Sequence, residues 1–283
     1  MPEVKGFHHI SAFTKSMENN LYFYTHILGL RLVKQTVHQE NFQTPHLFYG
    51  DYWGTPGTLL TFFVYPKIGK SYKNDHYYGT VSLSIPKGSL IYWKNRLEKY
   101  TIRFNINIEK SSINLVDPDG LNLELHESVT PDLSTTPIAY SHIQEEYQLI
   151  RISKINLHTR LVDKERQFLK DWLSLTDSFM LNPTSKEQIQ LIASHTDDRS
   201  RLGRGSIDHI ALTVETVEDL KYFKERAEKY GYQVEKLIDR HYFTSLYVKS
   251  PSGLRIELAT ERPGFTIDES LKELGNRKIT FKQ

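Results

Sequence analysis

Short runs of alternating apolar and polar residues, the period of a strand, are broken along this chain by a few amphipathic stretches with the period of a helix. The order recurs. Residues 7–65 read as strand 7–13, helix 16–27 and strands 31–36, 44–50 and 58–65. Residues 79–127 repeat it: strand 80–85, helix 90–99, strands 104–108 and 112–116, a turn at Asp117-Pro118-Asp119-Gly120, then strand 121–126. A third copy, roughly 151–194, is the weakest, with strand 153–160, helix 164–173 and a shortened strand region ending at 190–193. The fourth, 207–259, has strand 208–214, helix 217–230, strands 233–238 and 243–249, a Ser250-Pro251-Ser252-Gly253 turn and strand 254–259.

Four such units predict an α+β fold of four βαβββ modules in two domains, 1–145 and 146–283, with curved mixed sheets and helices on the outside. The join is expected in 128–146, where Thr130-Pro131-Asp132 and Thr136-Pro137 carry turn chemistry and little periodicity. Within 254–258, Arg255 and Glu257 share one face of the pleat, while Leu254, Ile256 and Leu258 share the other. If the apolar face meets the helices, Glu257 points into the concave side of the sheet.

A hydrophobic content of 39% and a charged content of 25% are those of a soluble globular chain. No apolar run is long enough to span a membrane, and the N-terminus lacks the features of a signal peptide, so the expected compartment is the cytoplasm. Without cysteine, disulfides and thiolate sites are excluded, and a metal would have to rely on His, Asp and Glu. The 36 basic and 34 acidic residues are interspersed, which argues against a nucleic-acid partner. The basic loop at 198–205 spells no phosphate-cradling motif and reads as a solvated connection.

Candidate chemistry lies in the repeats. Of twelve histidines, His9 and His209 stand at matching positions: each opens the first strand of its unit and precedes Ile. Glu257 and Glu124 match each other in the last strands of the fourth and second units. The second unit, however, begins Tyr78-Gly79-Thr80 and the third Ser153-Lys154-Ile155, with no imidazole, so Glu124 is expected to be structural. Two imidazoles and a carboxylate are the protein ligand set of a mononuclear non-haem iron(II) centre with open positions. The site is therefore expected where the first and fourth units pack together.

The segments His8-His9-Ile10-Ser11, Gly29-Leu30-Arg31-Leu32-Val33-Lys34, His46-Leu47-Phe48-Tyr49-Gly50-Asp51, Gly57-Thr58-Leu59-Leu60-Thr61-Phe62-Phe63, Asp239-Arg240-His241-Tyr242-Phe243 and Pro263-Gly264-Phe265-Thr266-Ile267-Asp268-Glu269 resemble the hydroquinone-cleaving branch of the extradiol dioxygenases. That branch belongs to the vicinal oxygen chelate superfamily, with glyoxalase I and the fosfomycin-resistance enzymes. The likeness covers nearly the whole chain and is thinnest in the third unit. It implies iron(II), or Mn(II) or another divalent metal, on His9, His209 and Glu257. It also implies a hydroquinone or catechol-type aromatic diol and dioxygen as reactants, with ring opening as the outcome.

By the same resemblance, Arg240 stabilises the substrate oxyanion, Tyr247 hydrogen-bonds the substrate, Ser11 keeps a hydroxyl where the family often has Thr, and His8 supports the site beside His9. Because neighbours on a strand face opposite ways, His8 reaches the pocket only through a twist or bulge. Asp208 replaces a second histidine of the hydroquinone-cleaving group, which leaves the choice between para- and ortho-diol open. Two other readings stand: an isomerase or transferase of the glyoxalase kind, using a metal only as a Lewis acid, and a metal-free binding protein of the same fold. Assembly into a homo-oligomer is also left open.

Overall fold

The computed structural model describes residues 1–128 and 135–280, and the Thr130-Pro131-Asp132 part of the expected join lies outside the described residues. The first unit comprises β1 (Phe7–Thr14), α1 (Met17–Leu21), β2 (Arg31–His38), β3 (Asn41–Gly50) and β4 (Leu59–Val64). Its helical stretch differs from the predicted single helix: α1 runs on into a π-helical turn, Tyr22–Ile27. The second unit follows as β5 (Tyr77–Pro86), α2 (Leu90–Lys99), β6 (Phe104–Asn107), β7 (Ser112–Val116) and β8 (Asn122–Ser128). The third has β9 (Ile152–Thr159), α3 (Val162–Leu173), β10 (Met180–Asn182) and β11 (Glu187–Ala193), one strand short of the repeat. The fourth is complete: β12 (Ile207–Val214), α4 (Val217–Lys229), β13 (Gln233–Asp239), β14 (Phe243–Lys249) and β15 (Arg255–Pro263).

Local chemistry accounts for these elements. In α4, Thr216 and Asp219 form a reciprocal capping box, Glu218 and Asp219 sit at the positive end, and Arg226 and Lys229 sit at the negative end. Leu220, Phe223 and Ala227 are its buried stripe, spaced for one helical face. The turn between β14 and β15 carries Gly253 at φ +76°, a conformation that favours glycine. Buried Glu165 of α3 holds that turn by accepting hydrogen bonds from the Ser250 hydroxyl and the Ser252 amide, both at 2.8 Å. This secures the register that places Tyr247 opposite Glu257.

The sheets do not follow the order of the chain. One has eight strands in the order β13-β14-β15-β12-β1-β4-β3-β2, so it joins the first unit to the fourth. The other has seven, β10-β11-β9-β5-β8-β7-β6, and joins the second to the third. A division at 145/146 therefore gives each half of the chain one unit in each sheet. The seams are antiparallel pairs of first strands, β1 with β12 and β5 with β9. Pairing of that kind needs no crossover between the two strands, and it brings the strands that open with His9 and His209 side by side.

After β15, residues 264–279 run back across β2. The guanidinium of Arg31 donates to the carbonyls of Leu271, Lys272 and Leu274 at 2.9–3.2 Å. The wholly buried ammonium of Lys34 bonds Asp268 (2.5 Å) and Glu269, and Tyr242 donates to Asp268 (2.8 Å). Phe265 closes a small apolar cluster with Val33, Phe48, Leu59, Tyr242 and Phe243. Among the described residues, no helix is long and apolar enough to cross a membrane.

Candidate metal centre

Three side chains from β1, β12 and β15 meet on the inner face of the eight-stranded sheet. His9 Nε2 lies 3.2 Å from His209 Nε2 and 3.4 Å from Glu257 Oε2, and His209 Nε2 lies 2.9 Å from the same oxygen. All three residues are buried. Among the described residues they are the one group of three or more potential ligands within reach of a common ion. Glu257 Oε1 accepts from Ser245 at 2.5 Å, whereas buried Oε2 receives no aligned hydrogen bond. Ligands bonded at about 2.1 Å to one ion stand about 3.0–3.4 Å apart at right-angle or tetrahedral positions. The donor set and its orphaned oxygen thus fit a divalent metal.

The other nitrogen of each imidazole is occupied. His209 Nδ1 donates to Asp208 Oδ2 at 2.7 Å, leaving Nε2 facing Glu257. His9 Nδ1 meets His8 Nδ1 at 2.9 Å. The bulge needed for that contact is present: Phe7 pairs with Leu212 and His9 with Ala211, so His8 is an extra residue on β1. Burial, then the neighbouring His9, pushes His8 down to about 3, so its ring stays neutral and can accept the His9 proton. Burial also opposes a charged His209, but the Asp208 and Glu257 carboxylates beside it outweigh this and hold it up at about 9. Glu257 pays a large desolvation penalty as well, yet His9 and His209 keep it well below the usual carboxylate range.

Above the cluster opens a small cleft of about 100 Å³. His9, His209, Ser11, Arg240 and Tyr247 all line it. His8 does not line it; its ring packs against Phe243, centroids 4.9 Å apart. Tyr247 stands edge-on to His209 at 5.7 Å, and the Arg240 guanidinium lies 5.2 Å from the Tyr247 ring centre. Burial above all, and the Glu257 carboxylate, hold the Tyr247 hydroxyl far above its ordinary value, so it remains a proton donor. At the mouth, Glu40 bonds Lys236 and also Arg240, the latter at 3.3 Å.

Sequence reasoning gave little weight to several wall residues. His46 lies 4.1 Å, centre to centre, from both Phe48 and Phe63, and it shares Thr61 Oγ1 (3.0 Å) with Ser11 (2.7 Å). Burial keeps it neutral. His46 and Phe48 alternate on β3, so one face was legible, but the approach of Phe63 depends on the β3–β4 register. Asp208, read only as a departure from the family, is the partner of His209.

The second sheet supplies a comparison within the same chain. Ser82 pairs with both Glu124 and Lys154, as Ala211 pairs with Glu257 and His9, so Lys154 occupies the place of His9 and Thr80 that of His209. There the Lys154 ammonium lies 3.3 Å from Glu124, and Ser82 donates to the same carboxylate. Glu124 is neutralised by a fixed side-chain cation.

Comparison with known proteins agrees with this architecture. The chain is 32% identical to MhqE of Bacillus subtilis, a protein named as a ring-cleaving dioxygenase, over 96% of this chain and 92% of the relative. It is 27% identical to the chlorohydroquinone/hydroquinone 1,2-dioxygenase of Sphingobium indicum, over 98% and 91%. A crystal structure of a Bacillus subtilis protein described as a dioxygenase superposes with a TM-score of 0.88 at 27% identity, covering 99% of this chain and 93% of that one. The model of the Glyoxalase/Bleomycin resistance protein/Dioxygenase superfamily matches residues 6–125 and 173–258, and with the paired βαβββ units this establishes that the chain belongs to that superfamily.

Proposed function

We propose that the chain is a ring-cleaving dioxygenase that opens an aromatic diol, a hydroquinone in the first place, at an iron(II) centre held by His9, His209 and Glu257. One observation carries the reading: two imidazole Nε2 atoms and an orphaned carboxylate oxygen, from opposite ends of the chain, converge beneath an aromatic cleft. Relatives spanning nearly the whole chain bear ring-cleaving names, and one is named for hydroquinones. When bound, iron supplies a redox-active Lewis acid at which diol and dioxygen can meet.

The protein's own groups divide the remaining work. Glu257 contributes the negative charge of the ligand set, and His8 and Asp208 keep the Nδ1 protons of His9 and His209 away from the metal side. Phe48, Phe63 and Phe243 wall the cleft with rings suited to a planar substrate. Arg240 favours the ionised diol, and the protonated Tyr247 hydroxyl donates to a substrate oxygen. Ser11, Thr61 and His46 form a hydrogen-bonded chain along the wall, through which a proton can be held near the ring.

The test is oxygen uptake by the iron(II)-loaded protein with hydroquinones and catechols, alongside metal content of Glu257→Ala and Glu124→Ala. Stoichiometric uptake with ring-opened product is expected, with iron lost in Glu257→Ala and kept in Glu124→Ala. Turnover of a glyoxalase-type substrate without oxygen, or the reverse order of metal loss, refutes the reading.

A further inference from the structure

The two imidazoles of the cluster are backed by different chemistry. His9 Nδ1 faces a neutral imidazole, whereas His209 Nδ1 faces a carboxylate oxygen at 2.7 Å. That carboxylate is itself fixed. Arg255 Nη1 reaches Asp208 Oδ2 at 3.2 Å, Glu235 receives Arg255 at 2.5 and 3.2 Å, and Lys249 completes the row on Glu235 at 3.2 Å. The strand register underlies the row: His209 pairs with Arg255 across β12 and β15, and Arg255 pairs with Lys249 across β15 and β14.

A carboxylate that accepts the Nδ1 proton of an imidazole locks the tautomer with a free Nε2 lone pair, fixes the ring plane and strengthens that nitrogen as a donor. A neutral acceptor does this less well. We infer that Asp208, anchored by Arg255, is a positioning residue that makes His209 the stronger of the two imidazole donors to the metal of this site, a role the histidine expected at 208 would fill less well. The inference rests on the metal reading above and adds the asymmetry to it. Asp208 acts through His209, and the cost of losing it falls on metal affinity rather than on the fold.

The experiment uses the full-length, metal-free protein and Co(II) alone as the probe, with affinity read by competition against a chromophoric chelator. Loss of such a supporting partner typically weakens binding about 10–100-fold, and that loss is expected for Asp208→Asn and for Asp208→His. Nitrogen–proton correlation spectra of the imidazoles supply a readout that a purely structural role would not move. In both variants the Nδ1 proton of His209 should shift upfield while that of His9 stays in place. Asp208→His covers the case in which Asp208→Asn does not fold. Either folded variant binding Co(II) as tightly as the parent overturns the inference, as does an unmoved His209 proton. Glu257→Ala separates the failures: if it binds Co(II) normally, the metal reading itself falls; if it does not and the Asp208 variants do, only this inference falls.

Discussion

The segment after β15 backs Tyr242, a residue of the cleft wall, through Asp268, and Lys34 is its anchor. Lys34→Met keeps the length of the side chain and removes the ammonium that bonds Asp268 and Glu269. Glu269 is wholly buried, and the Arg277 amide at 3.2 Å is then its remaining hydrogen-bond donor. Breaking a buried pair from one side costs about 3–5 kcal/mol, because the other charge stays out of water without compensation. At about 2 °C per kcal/mol for a chain of this size, the melting temperature should fall by roughly 6–10 °C. Replacing both partners leaves no stranded charge, so Lys34→Met with Glu269→Leu should recover most of the loss. Thermal and urea unfolding of the parent, the single and the double variant measure both effects. The cleft reports as well, since Tyr242 lines it and bonds Asp268, so KM should rise in the single variant. A single variant within about 1 kcal/mol of the parent, or a double variant no more stable than the single, would refute the argument.

Arg240→Met should lower turnover of the best diol about 10²–10³-fold, the scale for losing a preorganised charged donor, with metal content unchanged. Tyr247→Phe should cost less, because it removes one neutral hydrogen bond. Undiminished oxygen uptake by Arg240→Met would remove its role, and loss of iron would make it structural support. Asp117, at the turn before β8, is raised by burial from its ordinary value of 3.8 to about 6. A raised carboxyl binds its proton more tightly in the fold than in the unfolded chain, so its contribution to stability grows as pH falls from neutrality through 6 towards 4. The span is on the order of 3 kcal/mol. Asp117→Asn should remove this dependence, making the variant relatively more stable at pH 7 than at pH 4; a difference from the parent that ignores pH contradicts it.

The sequence by itself determined the repeats and the elements within them. Alternation and helical spacing placed the strands of the first, second and fourth units and were weak in the third, where a short β10 and a missing strand blur the period. The histidines of matching units and the last-strand carboxylate were legible for the same reason: repeated units keep equivalent positions, and His9, His209 and Glu257 stand at them. The π-helical turn at Tyr22–Ile27 was not legible, because its spacing differs too little from that of an α-helix over so few residues. The ligand set implied that the first and fourth units meet, and tertiary structure decided through which strands. Pairing β1 with β12 is a contact between residues about two hundred positions apart, and no local periodicity encodes it. The bulge at His8 follows from that pairing and its register, the aromatic bracket around His46 from the β3–β4 register, and the strap anchored at Lys34 from the return of the chain across β2. A strand pattern states which face a side chain takes; which partner meets it there is set by the neighbouring strand.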